Sequence, residues 1–462
     1  MVFSSTVFLF LFLPVLFILY YYFPGLKSRT WRNSILLLAS LGFYAWGEPL
    51  FVFLMLLSIF VNWAIALPMS RSATHRKLWL SAAVGFDLLL LGVFKYASFI
   101  SRNLAALTGN EALVVNIVLP IGISFFTFQM MSYVFDIYYG DAVAQKNPLH
   151  VALYISLFPQ LIAGPIVRYR QIEAEILGRH ESFYEFAKGV QRFIYGLGKK
   201  VLLANFLAQI ADNVFDYLPE PSVLMAWLGA VAYTLQIYFD FSGYSDMAIG
   251  LGQMFGFHFE ENFNYPYIAK SVADFWHRWH ISLSTWFRDY VYIPLGGNRV
   301  SHSRWVQNLF VVWLLTGIWH GANWTFILWG LIYFVFLLLE RETGFAEKLG
   351  PLSHVYTLFV VILAWVFFRS ASVAAGARYV GVMFGVGAKG FLDSGFVEYV
   401  RNTWVILLVS FIGVFPIMPW LRGKLQGWHC AWLEQVWLLL VFIVSVLELI
   451  SATYNPFIYF NF

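Results

Sequence analysis

The stretch between residues 274 and 324 opens with Asp274-Phe-Trp-His277-Arg-Trp-His280-Ile-Ser-Leu-Ser and closes with Gly317-Ile-Trp-His320-Gly-Ala-Asn-Trp324. Two of its histidines, His280 and His320, stand near opposite ends of the stretch, and the second one ends an apolar run. An ionisable side chain inside a membrane is costly and marks a candidate functional site. The stretch therefore predicts a fold that holds imidazoles among apolar helices.

The composition of the chain is that of an integral membrane protein. Of its 462 residues, 60% are hydrophobic and only 12% are charged, against about 25% charged residues in soluble domains. Its mean hydropathy is +0.70. The net charge of +4 is spread over the loops, which does not favour a nucleic-acid-binding protein. A single cysteine, Cys430, excludes an intramolecular disulfide framework and a cysteine-rich metal site.

Apolar runs of a length that can cross a bilayer, about 20 residues each, recur along the whole chain and predict an all-α, multi-pass protein. Some runs are short and are expected to tilt. We expect a single domain over 1–462, with the runs at 3–23, 34–47, 50–68, 78–94, 113–133, 223–240, 305–320, 322–340, 353–368, 403–420 and 432–450.

The basic residues predict the orientation of the chain in the membrane. None precedes the first apolar run, whereas Lys27, Arg29 and Arg32 follow it. Because basic loops stay cytoplasmic, the N-terminus is expected outside. The same rule predicts that the loops 25–33 and 70–77 and the region 268–304 are cytoplasmic.

The run at 149–165 is interrupted by Pro159, Gly164 and Pro165. Proline inside a helix removes a hydrogen bond and clashes with the preceding turn. This favours a re-entrant or broken helix, with a proline-kinked span as the alternative. Irregular backbone at membrane depth has to be buried in protein or line a watery cavity, so the segment indicates a funnel wall.

A cluster of hydroxyls and carboxylates, Tyr238-Phe-Asp240-Phe-Ser-Gly-Tyr-Ser-Asp246, stands where the run 223–240 ends. We expect it at the end of a span. Its two carboxylates have three open roles, which are binding substrate, orienting a histidine and facing water.

Apolar and aromatic residues recur at helical spacing over 272–290 and predict one amphipathic helix, too polar to span the membrane. His277 and His280 are close enough in sequence to share a face of this helix. A catalytic zinc site needs three protein ligands, and no third ligand stands beside them, so no metal site is predicted. His277 is interpreted as an ordinary interfacial histidine.

His320 is followed by Gly321 and Asn323 before the next apolar run begins. A glycine beside the imidazole allows a backbone or a ligand to approach closely. Imidazole is suited to deprotonating a hydroxyl near neutral pH. A buried histidine that only bonds a carbonyl is the alternative at this point.

Four segments together carry a resemblance to a known family. They are Trp279-His280-Ile-Ser-Leu-Ser, Trp319-His320-Gly-Ala-Asn, Ile162-Ala-Gly-Pro-Ile-Val-Arg168 and Tyr238-Phe-Asp-Phe-Ser-Gly-Tyr-Ser-Asp-Met-Ala-Ile-Gly250. With Asn262-Phe-Asn and Leu295-Gly-Gly-Asn298-Arg299 between them, they resemble the membrane-bound O-acyltransferase family, with a motif-bearing core at about 120–340. The C-terminal third matches that family only in its general pattern of spans and in the ending Asn455-Pro-Phe-Ile-Tyr-Phe-Asn-Phe462.

The resemblance implies a ring of helices with re-entrant segments around a central funnel or tunnel. It implies that His320 is the catalytic base and that His280 is its partner, which positions the acyl donor or polarises its carbonyl. Residues expected to bind substrate or donor are Arg168, Asp240, Ser242, Tyr244, Asp246, Trp276, Trp279, Ser284 and Asn323.

The expected activity is transfer of acetyl from a cytoplasmic donor, acetyl-CoA, across the bacterial inner membrane for O-acetylation of an exported exopolysaccharide. Alginate and cellulose both remain open as acceptors. No bound cofactor is expected. The expected partners are membrane lipid, the polysaccharide synthesis complex and a periplasmic or anchored acetyltransferase. Two alternatives are an acyltransferase for peptidoglycan, teichoic acid or lipid, and a transporter in which the histidines relay protons.

Overall fold

A computed structural model of the chain describes residues 1–22, 28–72, 74–417, 420, 431–451 and 454–458. Within these residues the regular elements are helices, and they include no strand, which confirms the all-α prediction for this part of the chain. Lys27 of the expected basic loop, Cys430, residues 418 and 419 of the run 403–420 and the ending 459–462 lie outside the described residues.

The chain packs as two compact units. The first unit consists of Met1–Phe193 and Tyr244–Glu260, and the second of Ile194–Gly243 and Glu261–Phe462. The expectation of one domain over 1–462 stays a prediction. The helices up to residue 198 are Phe8–Tyr22, Arg29–Ala45, Phe51–Arg71, Arg76–Thr108, Ile123–Tyr139, Pro148–Ser156, Phe158–Leu161, Tyr169–Gly178 and Phe183–Gly198.

The remaining described helices follow from residue 199 onward, and three of them are short π-helical turns at 199–204, 213–217 and 288–292. Two short 3₁₀ turns lie at Pro266–Ile268 and Gly350–Leu352. The α-helices are Asn205–Asp212, Val223–Met254, Val272–Arg278, Ile281–Phe287, His302–His320, Trp324–Thr343, Phe345–Lys348, Ser353–Arg369, Val373–Met383, Ser394–Gly413 and Ala431–Ser451.

Seven helices of the described chain are long and apolar enough to cross a membrane, which confirms a multi-pass membrane protein. They comprise Phe51–Arg71, Arg76–Thr108, Val223–Met254, Trp324–Thr343, Gly350–Arg369, Ser394–Gly413 and Trp432–Ser451. The other apolar runs also contain helices, but these are shorter or more polar.

The start of the predicted span 113–133 is wrong. The helix begins only at Ile123, because Pro120 lacks an amide hydrogen and Gly122 has a φ of +76°. A Cβ atom on Gly122 would lie 2.9 Å from the carbonyl oxygen of Leu161, so the backbone here touches another segment. Residues 114–122 therefore reach the helix as irregular backbone.

The predicted break in the run 149–165 is confirmed. Helix Pro148–Ser156 ends before Leu157, a single turn follows at Phe158–Leu161, and residues 165–168 are not helical. Residues 151–169 are all buried. The amide of Phe158 donates to the hydroxyl of Ser40 at 3.1 Å, which replaces a helical hydrogen bond lost at the break.

The polar cluster Tyr238–Asp246 does not lie at the end of a helix. The helix runs without interruption from Val223 to Met254, so the cluster lies inside it, and its place at the end of the membrane span stays a prediction. Asp240 is tolerated there because its carboxylate Oδ1 lies 2.8 Å from the ammonium of Lys200. A charge inside an apolar helix bundle requires such a partner.

Candidate functional site

Two glycines allow the helices His302–His320 and Trp324–Thr343 of the second unit to touch along their backbones. A Cβ atom on Gly317 would lie 2.5 Å from the carbonyl oxygen of Phe326, and one on Gly330 would lie 2.4 Å from that of Trp313. Side chains at these positions would push the helices apart. His320 is the last residue of its helix and is 4% exposed, so the close crossing places its imidazole in the core.

The single helix predicted over 272–290 is wrong, because the chain breaks at His280. Helix Val272–Arg278 ends before it and helix Ile281–Phe287 begins after it, while His280 itself has a φ of +45°. This is the left-handed region, which residues other than glycine seldom adopt. A continuous helix is therefore replaced by two short ones with a strained residue between them.

The segment 262–264 causes this break by taking over the hydrogen bonds of the helix. In a continuous helix the amide of Ser282 would donate to the carbonyl of Arg278. Instead, that carbonyl accepts from the amide of Asn264 at 2.9 Å. The amides of Ile281 and Ser282 donate to the carbonyl oxygen and to Oδ1 of Asn262, at 3.0 and 3.2 Å.

The break also separates the two neighbouring histidines. His277 is exposed, whereas His280 is fully buried, so the expectation that they could share a helix face is wrong. In the described part of the chain, no group of three or more His, Cys, Asp or Glu side chains could hold a metal ion.

One tryptophan, Trp319, contacts both candidate catalytic histidines. Its ring centroid lies 6.0 Å from that of His280 and 5.0 Å from that of His320. The other side of His320 packs against the rings of Trp329 and Phe368, at 4.8 and 5.2 Å. The structure thus brings together two imidazoles that are distant in sequence, and we call this aromatic-walled region the histidine chamber.

Several buried polar atoms around the histidine chamber have no hydrogen-bond partner among the described residues. They are Nε2 of His280, Nε1 of Trp276, Nε1 of Trp329 and the hydroxyl of Tyr333. The ring of Tyr333 lies 5.0 Å from that of Trp276 and 5.1 Å from that of Trp329, so three of these groups adjoin one another. Buried polar atoms are normally satisfied, so these atoms are available to a ligand or to water.

Burial also sets the charge state of His280. The imidazole is fully buried, and burial lowers its pKa to about 3. His280 is therefore neutral near pH 7, as a base or a hydrogen-bonding group requires.

Two adjoining cavities lead from exposed residues of the second unit toward this region. The smaller cavity, of about 450 Å³, is lined by exposed His277 and Arg288 at one part and by Trp276 and Trp313 at another. The larger cavity, of about 930 Å³, shares with it the wall residues Ala273, Tyr292, Leu309 and Leu337, and its charged lining residues are Lys270, Glu340, Arg341 and Glu347.

Two of the residues expected to bind donor or substrate, Trp276 and Ser284, line the smaller cavity. Trp276 lies between this cavity and the chamber, since its ring is 5.5 Å from that of Trp329. Trp279 is buried in the aromatic core against Trp365, at 5.1 Å, and does not line the cavity.

Three further candidates of the second unit have other surroundings. The hydroxyl of Ser242 is buried and has no hydrogen-bond partner within the described residues. Asp240 is ion-paired with Lys200 and accepts from the amide of Ile458 at 2.9 Å. Asn323 caps helix Trp324–Thr343 by accepting from the amide of Thr325, and it donates to a carbonyl.

The remaining candidates, Arg168, Tyr244 and Asp246, belong to the first unit. Arg168 is buried and lies 3.4 Å from Glu260. Tyr244 stacks on Phe3 at 4.6 Å, and Asp246 pairs with Arg192 at 3.0 Å. The roles of all these residues in binding stay predictions.

Two polar residues of this region were not predicted as site residues. Asn262 is 1% exposed and bonds to Nδ1 of His280 at 3.2 Å, and Lys200 is 3% exposed and pairs with Asp240. Asn262 stands in one of the segments that carry the family resemblance, and this was the available signal. The sequence around Lys200 contained no signal of a site residue, because Lys200 follows other cations in a segment that resembles a membrane-surface helix.

Comparison with known proteins agrees with these observations. Residues 143–378 match the model of MBOAT, the membrane-bound O-acyltransferase family. The chain is 40% identical, over the full length of both proteins, to the Pseudomonas putida protein named "probable alginate O-acetylase AlgI". It is 32% identical to the Helicobacter pylori peptidoglycan O-acetyltransferase, covering 100% of this chain and 98% of that protein.

A more distant relative matches part of the chain. The Bacillus subtilis teichoic acid D-alanyltransferase is 31% identical over 239 residues, which cover 48% of this chain and 59% of that protein. The family match includes both buried histidines and the Trp319 ring between them. This chain therefore belongs to the membrane-bound O-acyltransferase family.

Proposed function

We propose that this protein transfers acetyl groups from a cytoplasmic donor, acetyl-CoA, for the O-acetylation of an exported polysaccharide of the alginate type. The observation that carries the proposal is the pair of buried imidazoles, His280 and His320, which both contact Trp319. The acceptor class is supported by the full-length similarity to proteins named as alginate O-acetylases, at about 40% identity.

The chemistry requires a base and a shielded site. A hydroxyl oxygen attacks the carbonyl carbon of the acetyl thioester, its proton passes to a neutral imidazole, and the C–S bond breaks. The thiolate sulfur then takes the proton from the imidazolium. The family resemblance gives the base role to His320, whose ring is enclosed by Trp319, Trp329 and Phe368. Exclusion of water by such walls protects the thioester from hydrolysis.

The two adjoining cavities of the second unit support access of the donor from the cytoplasm. The larger cavity carries Lys270 and Arg341 on its wall, beside the carboxylates of Glu340 and Glu347, and these two cations are the groups there that can bind the phosphates of CoA. The smaller cavity continues to Trp276, one of the walls next to Trp329. The family resemblance also implies a ring of helices around a central tunnel, and we include this in the proposal. The broken helix at 148–165 supports it, because the segment was expected to form part of the funnel wall.

The proposal includes a location and a partner. CoA stays inside the cell and exported polysaccharide is modified outside, so acetyl has to cross the inner membrane. A periplasmic or anchored acetyltransferase, working with the polysaccharide synthesis complex, would receive acetyl at the outer side. We expect the protein to be insufficient for polymer acetylation without that partner.

Peptidoglycan is the second candidate acceptor. It is supported by the 32% identity to the Helicobacter pylori peptidoglycan O-acetyltransferase, which also extends over essentially the full length. Both candidates require the same donor and the same histidines. They differ in the polymer that loses its acetyl groups when the protein is absent.

The test is deletion and complementation in the native bacterium. Acetyl content should be measured by mass spectrometry on secreted polysaccharide and on peptidoglycan from the same cultures. We expect loss of acetyl from the polysaccharide alone, restored by the wild-type chain and not by the His320→Ala variant. Loss from peptidoglycan alone would transfer the proposal to the second acceptor, and loss from neither would contradict both.

The partner is tested by expressing this chain without its genetic neighbours in cells that export the polymer. Acetylated polymer under those conditions would make this protein the terminal acetyltransferase.

The orientation can be tested by labelling from outside the cell. After replacement of Cys430, single cysteines at Ser72 and Glu48 are treated with an impermeant reagent. We expect labelling at residue 48 and not at residue 72. The opposite pattern would reverse the orientation and place the donor cavities outside.

A further inference from the structure

Asn262 accepts three hydrogen bonds on a single atom, Oδ1. Its donors are the amide of Ser282 at 3.2 Å, the hydroxyl of Ser282 at 2.9 Å and Nδ1 of His280 at 3.2 Å. All three residues are at most 5% exposed. These contacts are therefore made in a region that excludes bulk water.

The amide of Ser282 fixes the chemistry of this group. A backbone N–H can only donate, so the atom of Asn262 that it meets has to be the carbonyl oxygen and not the nitrogen. An oxygen without hydrogens cannot donate to His280. Oγ of Ser282 also lies 3.4 Å from Nδ1, but its hydrogen is directed to Asn262 at the shorter distance of 2.9 Å, so Nδ1 of His280 carries the proton. In a neutral imidazole the other nitrogen, Nε2, then has a lone pair and no hydrogen.

Nε2 of His280 is buried and has no hydrogen-bond partner in the described part of the chain. The ring packs edge-on against Phe241 at 4.7 Å and lies 6.0 Å from Trp319. A lone pair in apolar surroundings accepts a proton or a hydrogen bond from whatever donor enters. It cannot donate to a carbonyl oxygen.

The surroundings of His280 contain few ionisable groups. Phe241 and Trp319 are uncharged, as are Asn262 and Ser282. On the helices packed against the ring, Asp240 is next to Phe241 and is paired with Lys200, and His320 is next to Trp319. Burial is the cause that lowers the pKa of His280 to about 3.

Asn262 also holds the strained backbone of His280. A φ of +45° is strained for a residue other than glycine. The carbonyl and the side-chain oxygen of Asn262 bind the two amides that follow, those of Ile281 and Ser282, and keep the helix broken there. One residue thus fixes the backbone conformation, the ring orientation and the tautomer.

We propose that Asn262 is a positioning residue that fixes His280 with its proton on Nδ1, so that Nε2 enters acetyl transfer as a hydrogen-bond acceptor. This rests on the proposed function. It replaces the expected role of His280 in polarising the donor carbonyl, since that role needs an N–H directed at the substrate. Nε2 accepts a hydrogen bond from a donor group of the bound substrate, while the proton of the attacking hydroxyl passes to His320 and returns to the thiolate sulfur as the C–S bond breaks.

The first experiment measures the tautomer and does not depend on activity. The protein is labelled with ¹⁵N-histidine and studied in lipid by solid-state NMR, and the His280 signals are assigned by their loss in His280→Gln. We expect a protonated Nδ1 and a bare Nε2. A proton on Nε2 would overturn the inference, whether or not the protein proves to be an acetyltransferase.

The second experiment measures CoA release by Asn262 variants, with kcat and KM determined separately. Loss of a residue that orients a functional histidine reduces activity by about 10–100-fold. We expect Asn262→Leu to lose that much kcat with little change in KM. Asn264→Ala is the matched control, because the exposed side chain of Asn264 stands close by in the same segment and should leave kcat unchanged.

The Asn262→Asp variant keeps an oxygen acceptor at the same place, so it serves even if Asn262→Leu fails to fold. A carboxylate beside Nδ1 favours the charged imidazolium and raises its pKa. The lone pair of Nε2 is available only while the imidazole of His280 is neutral. A higher pKa for His280 should therefore move the acid limb of the pH profile for kcat to higher pH. An unchanged acid limb, or full kcat in Asn262→Leu, would overturn the assignment.

Discussion

The first unit and the second unit both bury polar side chains, but the polar atoms have different surroundings in the two. In the first unit, the carboxylate of Glu181 accepts from Arg29 at 2.5 Å, from Arg32 at 2.6 Å and from the hydroxyl of Tyr20 at 2.5 Å. Arg179 donates to Asn33 and to the carbonyl of Phe255. We call these residues the Glu181 cluster. In it the carboxylate of Glu181 is paired with the guanidinium groups of Arg29 and Arg32.

The histidine chamber of the second unit has the opposite character. Nε2 of His280, Nε1 of Trp329 and the hydroxyl of Tyr333 are buried without a partner among the described residues. Leaving such groups unsatisfied costs about 1–3 kcal/mol each. The Glu181 cluster therefore stabilises the unit that contains it, whereas the unsatisfied groups of the chamber lower stability and remain able to bond a ligand or water.

The largest effect is expected from the histidines of the chamber. A positioned general base contributes about 10²–10⁴-fold to rate, so His320→Ala and His280→Ala should each lose about 1,000-fold in acetyl transfer. The protein should remain in the membrane at near-normal abundance. His277→Ala is the comparison and should have a much milder effect, because that side chain is exposed at the cavity wall and does not contact Trp319 or His320. Equal losses in all three variants would contradict the assignment of His280 and His320 as the pair.

The next effect concerns the Glu181 cluster and should appear in stability. Glu181→Gln leaves several buried or half-buried guanidinium groups without their carboxylate, and breaking such a pair costs about 3 kcal/mol. We expect a lower thermal midpoint for the purified protein. Glu260→Gln is the control, since Glu260 is 57% exposed and its pair with Arg168 should contribute less than about 1 kcal/mol. Similar midpoints for the two variants would mean that the cluster does not stabilise the first unit.

The pH dependence of the same carboxylate has a defined sign. Burial alone would raise the pKa of Glu181, but the hydrogen bonds from Arg29 and Tyr20 and the charges of Arg29 and Arg32 outweigh it and hold the pKa below its usual value of 4.5. A lowered pKa in the folded state gives stability above pH 4.5 that is lost as pH falls further. The difference in thermal midpoint between wild type and Glu181→Gln should therefore shrink toward pH 3 and stay constant between pH 6 and 8.

A smaller effect is expected when one hydroxyl is removed from the Glu181 cluster. The hydroxyl of Tyr20 donates to Glu181 and accepts from Arg179 at 2.9 Å. Hydrogen bonds to charged groups contribute about 1.5–3 kcal/mol, so Tyr20→Phe should lower stability by about 2 kcal/mol. The activity of the folded fraction should not change. The measurement is thermal unfolding together with specific activity.

The matched change in the histidine chamber should have the opposite sign for stability. Tyr333→Phe removes a hydroxyl without a partner among the described residues, so the free protein should become more stable, by about 1 kcal/mol. Activity should fall about tenfold if the hydroxyl bonds the substrate, because about 1.4 kcal/mol corresponds to that factor. A stability loss equal to that of Tyr20→Phe would remove the distinction between the two regions.

The sequence predicted those features that depend on local hydropathy. Apart from the start of the run 113–133, the apolar runs contain helices, Pro159 marked a real interruption, and His320 was correctly placed at the end of its run. Each of these is set by residues close by in the sequence. The same reasoning identified a multi-pass protein and singled out His320, whereas the role of His280 as its partner was implied by the family resemblance.

The features that sequence reasoning missed depend on hydrogen-bond and ion-pair partners that are distant in the sequence. The helix breaks at His280 because the backbone of Asn264 and both oxygens of Asn262 take over its hydrogen bonds. The helix through Asp240 continues because Lys200, which precedes this helix in the chain, neutralises the carboxylate. Hydropathy and periodicity describe one segment at a time, so they could not indicate either partner.

The groups that contact Asp240 and its partner Lys200 come from distant parts of the sequence, which affects how the protein folds during synthesis. The ammonium of Lys200 donates to the carbonyl of Pro456, and the amide of Ile458 donates to Asp240. Ile458 is synthesised 218 residues after Asp240, so Asp240 enters the membrane before these two groups are available. Until then the ion pair of Lys200 and Asp240 lacks its contacts with Pro456 and Ile458. A chain truncated before residue 454 would lack both contacts, so quality-control proteases of the membrane should degrade it faster than the chain that contains them.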